Sequence, residues 1–170
     1  MLTRITLALI ALIYFILLLP QIGKSQTLEA FPCYAFSEGS DDNYLFTYDP
    51  ATNTWLEIGT PGNLSIEAIA YDPVNEILYA TDDGDLGSVD VTTGAFTLIG
   101  AAGSGDGADG SEDMDDIDGL SYDPVRGVLW ASQRRGSDPD LVFHIDPATG
   151  LVVQDAFGPG VDYLVIAPPM

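Results

Sequence analysis

The chain contains a repeated unit of short apolar runs separated by turn sequences, and its most complete copy spans residues 65–100. The four runs alternate in hydrophobicity with a two-residue period and are rich in β-forming residues. Asp-Pro, Asp-Gly and Thr-Gly turn sequences lie between them, and none of the runs is long enough for a helix. The unit therefore predicts a four-stranded antiparallel meander, with strands at residues 66–71, 77–81, 86–91 and 95–99.

Parts of this unit recur elsewhere in the chain. The first-strand phrase recurs at residues 116–124 and 160–168, the second at 33–35 and 129–131, and the third at 45–53 and 142–150. A four-stranded unit with a period of about 40 to 50 residues is typical of propeller blades. We predict an all-β fold of antiparallel four-stranded repeats, a partial β-propeller of about three blades over residues 26–170. A compact β-sandwich built from the same hairpins is the alternative.

The phrases also resemble the β-propeller repeats of secreted bacterial proteins, which carry D-P-x-T-G turns and G-L-x-x-D-P inner strands. The resemblance covers residues 31–168. More distantly, the inner-strand phrase is similar to that of calcium-dependent, phytase-like propeller enzymes. The resemblance implies a fold and leaves the activity open.

The turn sequences predict which residues adopt a left-handed backbone. A type I turn followed by a left-handed residue favours Gly or Asn at the last position. That residue is Asn53, Gly94, Gly127 or Gly150 in four of the turns. In the turn at residues 72–76 the fifth residue is Glu, so Asn75 is the expected left-handed residue.

The N-terminal segment predicts export. Arg4 precedes a run of fifteen residues in which Thr6 alone is polar, and small residues follow near Ser25. A basic start, a short apolar core and a small-residue site are typical of a signal peptide, here residues 1–25. An uncleaved anchor is the alternative, although spanning a bilayer takes about 20 apolar residues. We expect a secreted, periplasmic or cell-surface protein.

The charge of the chain narrows the class of partner. All 26 acidic residues follow residue 25, where the cationic residues are three arginines, which gives a formal net charge of −23 for that part. Such a charge repels nucleic acid and anionic membranes and favours cations. The expected partner is an extracellular protein or glycan. The unpaired strand edges of an incomplete ring, near Tyr34 and Val165, also predict self-association.

Acidic residues are densest in the insertion at residues 103–118. One interpretation is a disordered, solvated loop. The other is a Ca²⁺ site, because Ca²⁺ prefers six to eight oxygen ligands. The candidate ligands are four carboxylates of the insertion and two at equivalent strand starts, which a propeller would bring together: Asp113, Asp115, Asp116, Asp118, Glu67 and Asp162.

The only cysteine and the only histidine are predicted to be packing residues and not reactive groups. Cys33, the only cysteine, aligns with apolar positions of the second strand, so we predict a buried, unreactive side chain. His144, the only histidine, lies within a strand without a neighbouring nucleophile, so we predict core or surface packing. The sequence therefore predicts a binding module without catalytic residues. A Ca²⁺-dependent propeller hydrolase or lyase is the alternative.

Overall fold

The computed structural model describes residues 32–37 and 43–166, which form thirteen β-strands. The predicted signal peptide, residues 1–25, lies outside the described residues. The strands are β1 (Tyr34–Ser37), β2 (Tyr44–Asp49), β3 (Thr54–Gly59), β4 (Ile66–Asp72), β5 (Ile77–Asp82), β6 (Asp85–Val89), β7 (Phe96–Ala101), β8 (Ser104–Gly107), β9 (Gly110–Asp113), β10 (Ile117–Asp123), β11 (Val128–Arg135), β12 (Asp138–Ile145) and β13 (Tyr163–Ile166).

The strands form three antiparallel sheets and one hairpin. Sheet I has the order β1-β2-β3, sheet II β4-β5-β6-β7 and sheet III β10-β11-β12-β13, while β8 and β9 pair with each other. The all-β prediction is confirmed, and sheet II contains the four strands predicted for residues 65–100. Its third strand ends at Val89, two residues earlier than predicted, because the turn with Gly94 at its left-handed end begins at Asp90.

The sheets pack face to face in sequence order. One face of sheet II, with Leu78, Ala80 and Val89, shares a core with Leu45 of sheet I. Its opposite face shares a second core with sheet III. Sheet II is therefore buried on both faces. Because alternate side chains of a strand point to opposite faces, its strand β5 is a nearly continuous apolar run.

In sheets I and II, a glycine on the last strand sets the distance to the next sheet. A Cβ atom on Gly59 would lie 2.0 Å from the carbonyl oxygen of Thr93, in the β6–β7 turn of sheet II. A Cβ atom on Gly100 would lie 2.3 Å from the carbonyl oxygen of Thr149, in the corresponding turn of sheet III. Both turns approach the preceding sheet backbone to backbone, which only glycine permits.

Tyrosine pairs repeat at the same two junctions between sheets. Tyr34 of sheet I packs against Tyr71 of sheet II with ring centroids 5.8 Å apart. Tyr79 of sheet II packs against Tyr122 of sheet III with centroids 6.3 Å apart. The two junctions between sheets are therefore built on the same plan.

Four left-handed turn residues are confirmed and one prediction is wrong. Asn53, Gly94, Gly127 and Gly150 all have positive φ angles. In the turn after β4, however, Glu76 is left-handed, with φ of 57°, and not Asn75. The Asn75 side-chain amide instead donates a 2.7 Å hydrogen bond to Asp72, which fixes it inside the turn.

Two predicted positions differ from the structure. Residues 160–168 were predicted as another first strand, but β13 pairs with β12 as the last strand of sheet III. Apolar residues alternate in the same way in a first strand and in a last strand, so the pattern does not determine which strand β13 pairs with.

Cys33 was predicted to be buried and is exposed, because among the described residues no sheet covers that face of sheet I.

The acidic insertion forms an ordered hairpin, β8–β9, which rules out the interpretation as a disordered loop. The Tyr163 hydroxyl accepts a hydrogen bond from the backbone N–H of Asp109 and donates one to the carbonyl oxygen of Gly110. Arg135 forms ion pairs with Asp109 and Glu112. The hairpin is thus attached to sheet III by a buried ring and a largely buried guanidinium group.

We predict that Gly100→Ala destabilises the protein by about 1–3 kcal/mol, because the new methyl group overlaps backbone that cannot move independently. Urea denaturation measures the change, with Leu98→Ala on the exposed side of the same strand as the control. An unchanged midpoint for Gly100→Ala would contradict the close approach between sheets II and III.

Candidate functional site

Three β-bulges place charged side chains around one cavity. The register of β4 against β5 shifts at Glu67, that of β10 against β11 shifts at Asp118, and that of β11 against β12 shifts at Arg134. A bulge leaves one residue out of the ladder and redirects its side chain. The cavity, of about 770 Å³, is lined by Glu67, Asp118 and Arg134 together with Ala35, Phe36, Ser65, Ile66, Ala68, Ile69 and Ser132.

The first strands of sheets II and III bring the carboxylates together. β4 and β10 pack against each other, and the hydroxyl of Thr81 on β5 donates a 3.0 Å hydrogen bond to the carbonyl oxygen of Ile117. Glu67 and Asp118 each follow the first residue of their strand. Equivalent bulges on neighbouring first strands therefore direct both carboxylates to the same cavity.

The charges at this cavity shift the pKa values in opposite directions. Burial, followed by repulsion from Asp116, Asp83, Asp118 and Asp82, raises the pKa of Glu67. Burial and the neighbouring Asp118 likewise raise the pKa of Asp116. In contrast, hydrogen bonds from Arg134 lower the pKa of Asp118, because they stabilise the carboxylate.

Arg134 is held by Asp118 at the edge of the cavity. Its backbone N–H donates a 2.7 Å hydrogen bond to Asp118 Oδ2, and its guanidinium Nε donates a 2.8 Å hydrogen bond to Oδ1. A second guanidinium nitrogen of Arg134 contacts the same Oδ1 atom. Asp118 is therefore already neutralised by Arg134, whose charge also partly opposes the raised pKa of Asp116. Glu67 has no ion pair with an arginine of the described chain, so it is the uncompensated acid of the cavity lining.

The six predicted metal ligands do not form one group. Glu67, Asp116 and Asp118 are neighbours, since Asp116 and Asp118 both raise the pKa of Glu67 and Asp118 raises that of Asp116. Asp113 accepts a hydrogen bond from the Ser104 hydroxyl, and Asp115 accepts one from Gln133. These two carboxylates line a second cavity of about 500 Å³, with Asp82, Asp83 and Asp85 of the β5–β6 turn.

Asp162 occupies a structural position instead. It is buried, and its two carboxylate oxygens accept hydrogen bonds from the backbone N–H groups of Asp155 and Asp106. It joins the loop before β13 to the acidic hairpin. The predicted convergence of Glu67, Asp118 and Asp162 depended on β13 being a first strand, so it fails for Asp162. Among residues 32–37 and 43–166, no cluster of three or more acidic, His or Cys side chains could hold a metal ion.

Arg134 and the bulges were not found from the sequence. A bulge adds one residue to a strand without changing its composition, so no sequence pattern marked it. A signal was nevertheless present, because Glu67 and Asp118 each interrupt an apolar first-strand phrase at the same position. Arg134 is the basic residue nearest that position on the adjoining second strand.

His144 lies within an aromatic cluster on the other face of sheet III. It is 6% exposed and packs against Trp130 and Phe157, with ring centroids 4.1 Å and 4.8 Å away. Its Nε2 atom is buried and has no hydrogen-bond partner among the described residues. Burial, with a smaller effect of Arg126, lowers its pKa, while Asp123 partly opposes this. The histidine is a packing residue, as predicted.

The comparisons with known proteins show a shared fold. A crystal structure of a structural genomics protein of unknown function from Bacteroides thetaiotaomicron is similar to 69% of this chain, with 26% sequence identity and a TM-score of 0.51. The similarity covers 29% of that chain, so this chain spans less than a third of it. No family model matches this chain, and no curated protein matches it. Within the described residues, no helix is long and apolar enough to cross a membrane.

We predict that acid destabilises the protein through His144. Because the pKa of the buried ring is lowered, the folded state binds fewer protons, and stability falls as the pH drops below about 6.5 towards that lowered pKa. Glu67 and Asp116 act in the opposite direction, since a raised carboxyl pKa favours the folded state as the pH falls.

Thermal melts at pH 7.5 and 5.5 test this for the wild type and for His144→Phe, which keeps an aromatic ring. The wild-type midpoint should fall at pH 5.5, and the variant's midpoint should fall less. Equal losses in both proteins would assign the acid sensitivity to other groups.

Proposed function

We propose that the protein is a secreted, acidic binding module with a partial β-propeller fold, and that it binds cationic groups at the cavity between sheets I, II and III. The carrying observation is that three bulged residues, Glu67, Asp118 and Arg134, line one cavity. Bulges are frequent beside binding and active sites because they direct side chains out of the ladder.

Three features support the propeller arrangement over the sandwich. Successive sheets repeat the same glycine-to-turn junction and the same tyrosine pair. The first strands β4 and β10 are the ones that approach each other across the second junction. Sheet II is covered on both faces, whereas a two-layer sandwich covers each sheet on one face.

The electrostatics of the cavity favour a cationic ligand. Glu67 and Asp116 are held near other acids, so their charged forms repel each other. A bound cation relieves this repulsion and favours the ionised carboxylates, which releases protons. Affinity for a cation should therefore fall as the pH is lowered. An amine of an extracellular protein or a hydrated Ca²⁺ ion has the required charge.

Ca²⁺ serves as the probe for this site. With Glu67 as the uncompensated carboxylate and Asp116 near it, most ligands of a bound Ca²⁺ ion would be water, so we expect weak binding with Kd of about 10⁻⁴–10⁻³ M. Mg²⁺ should bind less well, because it loses its water with more difficulty. The alternative of a Ca²⁺-dependent hydrolase or lyase stays a prediction.

We predict that Glu67→Gln weakens Ca²⁺ binding about tenfold in isothermal titration calorimetry at constant ionic strength. Glu57→Gln removes the same charge from the exposed strand β3 and is the matched control. Equal effects of the two substitutions, or equal heats for Ca²⁺ and Mg²⁺, would show diffuse screening and contradict a defined site.

Export is the second part of the proposal, supported by the short apolar run behind Arg4. We predict that the protein produced in its host is found outside the cytoplasm and starts near residue 26. N-terminal sequencing of the product measures this. A membrane-bound product that still begins at Met1 would favour the uncleaved anchor.

A further inference from the structure

The cavity that contains Glu67 has an apolar wall as well as charged groups. Half of its lining residues are apolar: Ala35, Phe36, Ile66, Ala68 and Ile69. Three of them, Phe36, Ile66 and Ile69, also pack against the core between sheets I and II, so the fold fixes their positions. A ligand that fills this cavity therefore gains from apolar contact in addition to charge.

The polar groups of the lining are too few for a metal ion that sheds its water. Ca²⁺ prefers six to eight oxygen ligands, and the carboxylate of Asp118 is already bound by Arg134. The other polar groups of the lining are the Glu67 carboxylate and the hydroxyl groups of Ser65 and Ser132. An ammonium group donates three hydrogen bonds, a number that one carboxylate and two hydroxyl groups can accept.

We propose that this cavity binds a primary ammonium ion that carries an unbranched apolar chain, with the ammonium group at Glu67 and the chain along Phe36, Ile66 and Ile69. The inference rests on the proposed cation binding and names the class of cation. The volume of about 770 Å³ lies within the range of about 300–1,000 Å³ that is usual for small-molecule sites. Binding of the chain removes apolar surface from water, which an inorganic cation does not do.

Arg134 does not make the cavity a site for anions. Its backbone N–H and two of its guanidinium nitrogens already contact Asp118. An anionic ligand would have to displace that carboxylate, and it would also face the negative charges of Glu67 and Asp116. A neutral ligand of the same shape would leave the Glu67 carboxylate without a counterion. The charge of the lining therefore selects the ammonium ion among ligands with the same chain.

Amines that differ only in chain length test the apolar wall. Methylammonium, n-butylammonium and n-hexylammonium are titrated into the protein at pH 7.5 and constant ionic strength, with isothermal titration calorimetry as the readout. Affinity should rise about two- to fourfold for each added methylene group, which corresponds to about half to full burial of that group. n-Hexanol has the same chain without the charge and should bind less tightly than n-hexylammonium.

Two substitutions separate the charge from the wall. Glu67→Gln should weaken n-hexylammonium binding about tenfold and remove its advantage over n-hexanol, because the ammonium group loses its counterion. Ile66→Thr keeps a β-branched side chain at the start of β4, and it should lower the gain per methylene group without changing methylammonium binding. Val91→Thr is the matched control, because Val91 packs against the same core but does not line the cavity.

A measurement without substitutions locates the ligand. n-Hexylammonium should shift the ring-proton NMR signals of Phe36 more than those of Phe96, which packs against the same core but does not line the cavity. Equal shifts of the two rings would indicate non-specific binding and contradict the site.

A lysine side chain carries the same ammonium group on four methylene groups, so the ligand chemistry is available from a polypeptide as well as from a free amine. Nα-acetyl-lysine amide and n-butylammonium distinguish these sources. Tighter binding of the lysine derivative would identify a polypeptide, and tighter binding of n-butylammonium would identify a free amine. Either order supports the ammonium site, provided that Glu67→Gln weakens both ligands.

The outcomes separate this inference from the proposed function. If Ca²⁺ binding depends on Glu67 but n-hexylammonium binds no more tightly than methylammonium, the cation site stands and the inference is overturned. If affinity rises with chain length but Ile66→Thr and Val91→Thr behave alike, the apolar chain binds elsewhere and the inference is again wrong. If neither Ca²⁺ nor any of the amines responds to Glu67→Gln, both proposals fail.

Discussion

The contact between a glycine on the last strand of one sheet and the turn of the next sheet controls the packing of the described chain. Gly59 and Gly100 bring two turns into backbone contact, at a distance that excludes even a methyl group. Only at that distance do the tyrosine pairs and the two cores form, because interior packing loses its contacts when a gap of a fraction of an ångström opens. The repeat in the sequence is thus a repeat of docking contacts as much as of strands.

The cavity is a consequence of the same docking. Once β4 and β10 approach each other, a bulge at an equivalent position on each strand sends two carboxylates towards one space. Like charges brought together in this way reduce stability, and the pKa of Glu67 is raised first by its burial and then by this repulsion. The bulge on β11 contributes Arg134, which pairs with Asp118 and also partly compensates Asp116. The site therefore keeps an excess of negative charge that a packed interior would not tolerate.

Local structure could be predicted from this sequence, and the pairing of distant segments only in part. The strands of sheet II and the left-handed residues Asn53, Gly94, Gly127 and Gly150 follow from turn chemistry, which acts within five residues. Other features depend on how elements distant in the sequence pack together: the position of β13 in sheet III, the burial of Asp162 and the exposure of Cys33. The alternation of apolar residues indicates which face of a strand is buried, but it does not indicate which element packs against that face.

The arginines show how the fold tolerates its acidity. All three in the described chain belong to sheet III and its turns, and each contacts at least one carboxylate. Arg126 lies at the surface, where an ion pair adds little to stability. Arg135 is largely buried and joins two acids of the hairpin, so its loss would leave that hairpin attached through the hydrogen bonds of Tyr163 and Asp162. Arg135 therefore lies where the inserted hairpin β8–β9 is attached to sheet III, and Arg134 lies beside Asp118 at the cavity. Two further carboxylates, Asp72 and Asp162, are buried and accept hydrogen bonds instead of ion pairs, and the cavity keeps the negative charge on which the proposed cation binding depends.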